Sequence, residues 1–397
     1  MRLSAPFPVL FFASAAHGMH HILIALYATL VLVISPVWHV PYNELIALWT
    51  VGAMLIGLGS PVAGWLADRI GETKVLVLCF LGLGTAGVLC GLAKTTGQLE
   101  GALALLGLSG SIYHPVGFSW VVKHARVRGR AIAITGVAGS IGVALGPVVA
   151  AGLAQFAGWR MAFIAPGILT FAIGLVLIGF HLAGRIVDRA DDHTPHAEVP
   201  HRSDMTRAFA VLALTMTITL AVYAAFGAAL PKLVQLNSIA GARSIIIVGL
   251  VAGTIQLLGA AGQFAGAHFG DRSSIVRAYT ITFVLLCVAF PLVAASSGWS
   301  VAIAAVLVVL VFESMAPLET LLLARYTPAS RRGMVFGIRY GLSAIGTPLG
   351  VWLVARLYNP GAHFLYLFGT LTLLAALALA AVQFLPSDRV SRVVPAE

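Results

Sequence analysis

Gly59-Ser-Pro-Val-Ala-Gly64-Trp-Leu-Ala-Asp68-Arg69-Ile-Gly71-Glu-Thr-Lys74 is a short charged hinge set between two long apolar runs. Gly59 and Gly64 give a helix end a smooth face for close packing. Asp68 and Arg69 interrupt the apolar run, and Gly71 permits a tight turn. A second copy follows about 203 positions later: Gly262-Gln-Phe-Ala-Gly-Ala-His-Phe-Gly-Asp271-Arg272. Gly59 matches Gly262, Asp68 matches Asp271 and Arg69 matches Arg272. One such loop would mean little; two in register imply a chain built from two related halves.

The solvent for most of this chain must be lipid. Of its 397 residues 59% are hydrophobic and only 10% are charged, with mean hydropathy +0.97. A soluble domain carries roughly 25% charged residues. The apolar runs are continuous and about 20 residues or longer, which predicts spanning helices rather than the alternating segments of a barrel. Cys79, Cys90 and Cys287 all lie inside such runs, so no disulfide framework is expected. The net charge of +10 does not indicate nucleic acid, because the basic residues sit in short loops between spans. The first apolar run is too long for the core of a signal peptide and reads as the first span.

Twelve spans are predicted, at about 7–34, 44–67, 74–93, 98–122, 129–157, 159–182, 207–236, 244–268, 275–295, 299–324, 332–357 and 361–385. The fold class is all-α: a membrane protein of two pseudo-symmetric six-helix halves. Residues 1–184 form the N-terminal half, the polar segment 185–206 a cytoplasmic linker, and 207–397 the C-terminal half. The repeat extends beyond the opening loop. Arg128-Gly129 matches Arg332-Gly333, and Ile134, Ile141, Gly142, Leu145 and Gly146 match Ile338, Ile345, Gly346, Leu349 and Gly350. Spans five and eleven are therefore equivalent. With both termini cytoplasmic, eighteen Lys and Arg fall on that side and five on the other, an asymmetry that predicts the orientation. Internal repetition of a membrane bundle is the usual build of a secondary transporter, with the substrate site between the halves.

The Gly64-x-x-x-Asp68-Arg69-x-Gly71-x-x-Lys74 loop resembles the signature loop of the major facilitator superfamily. Its second copy is degenerate, with Ala267 and Ser274 where Gly64 and Gly71 have their equivalents. Gly158-Trp159-Arg160 is also similar to that superfamily. Two stretches resemble its fosmidomycin-resistance exporters: Gly110-Ser-Ile-Tyr113-His114-Pro115, and His17 followed by Leu23-Ile-Ala-Leu-Tyr27. Met19-His20-His21 and Val116 stand where that group carries acidic residues. Gly142-Val-Ala-Leu-Gly146-Pro147-Val-Val-Ala150-Ala151 is similar to the antiporter motif, with alanines for the final glycines, and also reads as a small-residue packing face. The resemblance implies that spans one, four, seven and ten line a central cavity.

Ionisable side chains inside lipid are costly and are the functional candidates. At 1.5 Å per residue, His17 and Glu313 fall near mid-membrane, with His114, Glu319 and Arg339 about 9–12 Å from the cytoplasmic ends of their spans. Equal depth makes Glu319 and Arg339 a plausible ion pair, and Arg339 a holder for an anionic group. Glu313 has no depth-matched cation in its own repeat half. A carboxyl in a low-dielectric cavity suits proton exchange, so Glu313, with His17 and Glu319, is a candidate for proton coupling. The candidate substrate-binding set is His17, His21, Tyr27, Tyr113, His114, Tyr223, Glu313, Arg339 and Tyr340. Gating is expected of Gly64, Asp68, Arg69, Gly71, Asp271, Arg272 and Arg128, with Asp68 latching the outward-open arrangement by meeting a helix N-terminus or an Arg such as Arg126, Arg128 or Arg130. His17, His20 and His21 share one helix face, a spacing that permits a metal. No acid, Cys or second His cluster lies nearby in sequence, so no metal site is expected. Gln256 and Gln263 read as structural.

The absence of a nucleotide-phosphate loop argues against ATP, and neither cofactor nor catalytic constellation is expected. The reading is proton-coupled export of a small organic compound, from a monomer in the bacterial inner membrane. Import of a small organic anion by symport or uniport is the alternative. A non-transporting receptor or scaffold is a second.

Overall fold

Water-free surroundings force each span to satisfy its own backbone, and the chain responds with helix nearly throughout. A computed structural model describes residues 5–186, 188, 202–237, 239, 244–327 and 339–386. The first half holds α1 (Phe7–Trp38), α2 (Tyr42–Ala47), α3 (Trp49–Ile70), α4 (Glu72–Leu92), α5 (Thr96–Gly110), α6 (Phe118–His124), α7 (Arg128–Ala157) and α8 (Trp159–Leu182). The second holds α9 (Arg202–Leu236), α10 (Ile245–Gly259), α11 (Gly262–Arg272), α12 (Ile275–Ala295), α13 (Trp299–Tyr326), α14 (Ser343–Leu357) and α15 (Leu365–Val382). Among the described residues, ten helices or joined helix pairs are long and apolar enough to cross a membrane.

The other two expected spans are four and eleven. Span four was expected as one helix over 98–122, but it is α5, a π-helical turn at Tyr113–Gly117, and α6. The first part of span eleven, including Arg332, Gly333 and Ile338, lies outside the described residues. Most of the linker does too. Its first residues pack: Ile186 is buried, and Asp188 Oδ1 accepts from Thr73 N at 3.2 Å and Thr73 Oγ1 at 2.5 Å. Asp188 thus caps the start of α4, where the helix dipole favours an anion.

The contacts between helices repeat with the sequence. In the first half α1 packs on α7, α4 on α8 and α3 on α5; in the second, α14 packs on α9, α12 on α15 and α11 on α13. Between the halves, α7 meets α10 and α3 meets α14, which are the same two spans exchanged by the pseudo-two-fold. The outside is apolar, with Phe156 84% and Leu182 80% exposed, and faces lipid.

The signature motifs act in this packing. Gly71 adopts φ +95°, and a Cβ there would stand 2.2 Å from Asp188 Oδ2, so only glycine fits between α3 and the capped α4. Arg160 donates to the Gly91 and Ala93 carbonyls at 2.9 and 2.6 Å, and so caps the C-terminal end of α4.

Candidate functional site

The local break in span four creates one wall of the site. Pro115 has no N–H, so the Ser111 carbonyl four residues earlier loses its helical donor. Ser60 of α3 brings a hydroxyl to it, with Oγ 3.0 Å from Ser111 O and 2.8 Å from Ile56 O, one proton shared between two carbonyls. The π turn that follows rotates His114 toward α1.

Between the halves lies a cavity of about 520 Å³. His20, His21, Tyr27, Ser60 and His114 line it from the first half; Tyr223, Glu313, Glu319, Arg339 and Tyr340 line it from the second. Of the residues expected around it, His17 and Tyr113 stand behind the wall rather than in it. They stack on each other with ring centroids 4.4 Å apart, and both are buried. His17 is held there by α7: its Nδ1 donates to Thr135 O at 2.7 Å. Gly139 leaves room for the ring, since a Cβ at that position would lie 2.3 Å from it. His20, noted only as a face-sharing neighbour, is a wall residue instead, and its Nδ1 is buried without a hydrogen-bond partner among the described residues.

Glu313 is bound by a residue that sequence reasoning left as structural. Gln263 Nε2 donates to Glu313 Oε2 at 2.6 Å and to Ser140 Oγ at 3.1 Å. Ser140 belongs to α7 and Glu313 to α13, so one amide joins the two halves beside the cavity. Its only sequence signal was a polar side chain within an apolar span.

Glu319 and Arg339 form an ion pair, with Nη2 and Oε2 3.3 Å apart. Arg339 Nη1 also donates to Thr320 Oγ1 at 3.0 Å, and the Tyr279 hydroxyl lies 3.2 Å from Glu319 Oε1. The Tyr340 ring stacks over His114 at 5.7 Å, which closes the circle between the halves. Tyr27 donates its hydroxyl proton to the Leu45 carbonyl, so it is fixed across the α1–α2 junction. The Tyr223 ring meets Phe312 edge-on at 5.7 Å.

The loop residues expected to gate lie apart from the cavity. Asp68 is exposed and makes no ion pair among the described residues, so it meets none of Arg126, Arg128 and Arg130 in this arrangement. Arg69 lies 4.2 Å over the Trp65 ring. Asp271, Arg272 and Arg128 are exposed, with Arg272 Nη1 3.2 Å from His268 Nε2. Gly64 has only Pro115 at 4.0 Å before its absent side chain. An ion pair that does form near this end is Lys123–Glu72 at 2.5 Å, which ties α6 to α4 within one half. Buried Glu72, at the start of α4, was the missed partner for Lys123, a lysine read as a loop charge.

Comparison with known proteins agrees with the helical fold. The Major Facilitator Superfamily model matches residues 7–238. The "Putative multidrug resistance protein MdtD" of Salmonella paratyphi B is 28% identical over 228 residues, covering 55% of this chain and 46% of that protein. This chain therefore spans under half the length of that relative. The "Probable 4-methylmuconolactone transporter" of Cupriavidus pinatubonensis is 28% identical over 324 residues, covering 78% of this chain and 66% of that protein. Among solved structures, a bacterial homologue of the human lysosomal transporter Spinster, inward-facing and occupied, superposes with a TM-score of 0.73 at 15% identity. That match covers 97% of this chain and 95% of the other, and shows the shared fold. The chain belongs to the Major Facilitator Superfamily.

Proposed function

We propose that this protein is a proton-coupled secondary transporter that exports a small organic compound by alternating access. The observation that carries the reading is the Gln263 amide, which holds Glu313 on the cavity wall and reaches Ser140 of the other half. An ionised Glu313 accepts a charge-assisted bond from Gln263 and so favours the joined arrangement of α7, α11 and α13. A proton arriving from outside neutralises the carboxylate and weakens that bond. The halves, 1–184 and 207–397, then rock about the cavity, with 185–206 as their linker. The orientation with both termini cytoplasmic rests on the Lys and Arg asymmetry, and the bacterial relatives support an inner-membrane location.

The cargo class follows from the wall. A cavity of about 520 Å³ with aromatic and apolar sides and a few convergent polar groups suits a compact organic molecule. The lactone and multidrug names of the relatives fall within that class. A second reading, import of an organic anion, is favoured by Arg339: its guanidinium faces the cavity and meets Glu319 through a single contact at 3.3 Å. An incoming carboxylate would compete for that guanidinium with bidentate geometry.

The test uses full-length protein in proteoliposomes of known orientation. The ligand is chosen by a thermal-shift screen of lactones, organic acids and drugs. Under an imposed proton gradient, export predicts ligand flux opposite to proton flow. Import predicts flux in the same direction as protons, and flux indifferent to the gradient contradicts proton coupling altogether.

A further inference from the structure

The histidines on α1 share a helix face, but a metal site needs a donor from elsewhere, and α1 has no acid or thiol nearby. The folded chain brings that donor in. Ligand nitrogens of His17, His21 and His114 all lie within 4.8 Å of one another. His17 Nε2 and His21 Nε2 are 3.1 Å apart. Two imidazoles sharing a tetrahedral metal at 2.0–2.1 Å would place their nitrogens about 3.3 Å apart. The two α1 histidines therefore already stand at close to a metal-sharing separation.

The orientation of His17 fits the same role. A carbonyl can only accept, so the bond at 2.7 Å to Thr135 O places the His17 proton on Nδ1. Nε2 is left with its lone pair directed at His21. A ligating histidine commonly donates its other N–H to a backbone carbonyl, which fixes the tautomer and ring. Gly139 keeps the space that this orientation requires. His114 arrives on the π turn, next to Pro115, and its ring stacks on Tyr340. His20 lies 5.2 Å from His114, ring to ring, and its buried Nδ1 has no hydrogen-bond partner among the described residues.

We propose that His17, His21 and His114 form a binding site for a divalent transition-metal ion of the zinc and nickel class in the wall of the central cavity. Imidazole nitrogen suits such ions better than the hard cations magnesium and calcium. Three protein ligands leave at least one coordination position open, as in sites that exchange a ligand. His21 and His114 line the cavity, so the open position faces it. The three imidazoles bring no negative charge, and the ion would retain its full charge in a low-dielectric wall. An anionic donor on the cargo, such as a carboxylate, is the group that compensates it. The site is thus suited to cargo that enters as a metal complex.

The assignment does not depend on the direction or coupling of transport, and binding in detergent tests it alone. Full-length protein purified without a polyhistidine tag is titrated with zinc chloride in a calorimeter. One equivalent is expected to bind, with X-ray absorption at the zinc edge showing imidazole nitrogens at about 2.0–2.1 Å. His21→Ala and His114→Ala should each weaken that binding by about tenfold or more, since even partners outside the ligand shell cost this much. His268→Ala, at an exposed position on α11, should leave it unchanged. If an alanine variant unfolds, His114→Gln and His21→Gln preserve bulk and carry the test. Absence of stoichiometric binding overturns the proposal. So does zinc affinity that survives the loss of His21 and His114, which would mean that the imidazoles only hydrogen-bond to one another.

Discussion

Glu313 shows what a single residue can and cannot reveal before the fold is known. An acid within an apolar span is expensive and so stands out. Its partner Gln263 does not stand out, because the two meet only when α11 packs on α13. The histidines behave alike: the spacing of His17 and His21 is visible in one helix, while His114 reaches them from another element. Two predictions belong to this scale. Gly139→Ala would place a methyl 2.3 Å from the His17 ring, and overpacking of this kind costs about 1–3 kcal/mol. Thermal unfolding in detergent should fall accordingly, with loss of zinc binding. Arg339→Met leaves Glu319, which is buried, without its cation, a change that costs about 3–5 kcal/mol for a buried pair. The double variant Glu319→Gln/Arg339→Met should recover part of that loss in a double-mutant cycle; simple additivity would show that the pair is not coupled.

At the scale of elements, long apolar runs made the spans legible, and the interruptions within them were not. A single-sequence pattern of hydrophobicity has no mark for a π turn, and only Pro115 hinted at the break in span four. The compensating donor, Ser60, sits on a different helix. Ser60→Ala should therefore destabilise the protein by about 0.5–1.5 kcal/mol, read as a fall in melting temperature, because the hydroxyl shared between Ser111 O and Ile56 O would be lost inside the bundle. Gly71 was legible as a turn, but not as the residue that makes room for Asp188. Gly71→Ala places a left-handed φ of +95° on a residue with a side chain and drives its Cβ against the cap. The expected result is a loss of about 1 kcal/mol or more, again by thermal unfolding. The companion Gly71→Ala/Asp188→Ala relieves the collision but not the backbone strain, so it should recover only part of the deficit.

For the whole molecule, the repeat was the most informative feature. Two loops in register predicted two halves, and the exchanged contacts α7–α10 and α3–α14 are what a pseudo-two-fold requires. The cavity between them was expected, but not its composition, because its walls draw on helices far apart in sequence. Orientation rests on charge counting and has its own check. In intact cells, a membrane-impermeant maleimide should label Lys94→Cys at once, and Arg277→Cys only after permeabilisation. The opposite pattern would invert the topology, and with it the direction assigned to transport. The central claim is that Glu313 couples the rocking of the halves to a proton. The most direct measurement compares wild type with Glu313→Gln in the same proteoliposomes, following both flux driven by a proton gradient and exchange of ligand at equal concentration. The account predicts that the variant keeps exchange and loses gradient-driven flux; gradient-driven flux at the wild-type rate would contradict it.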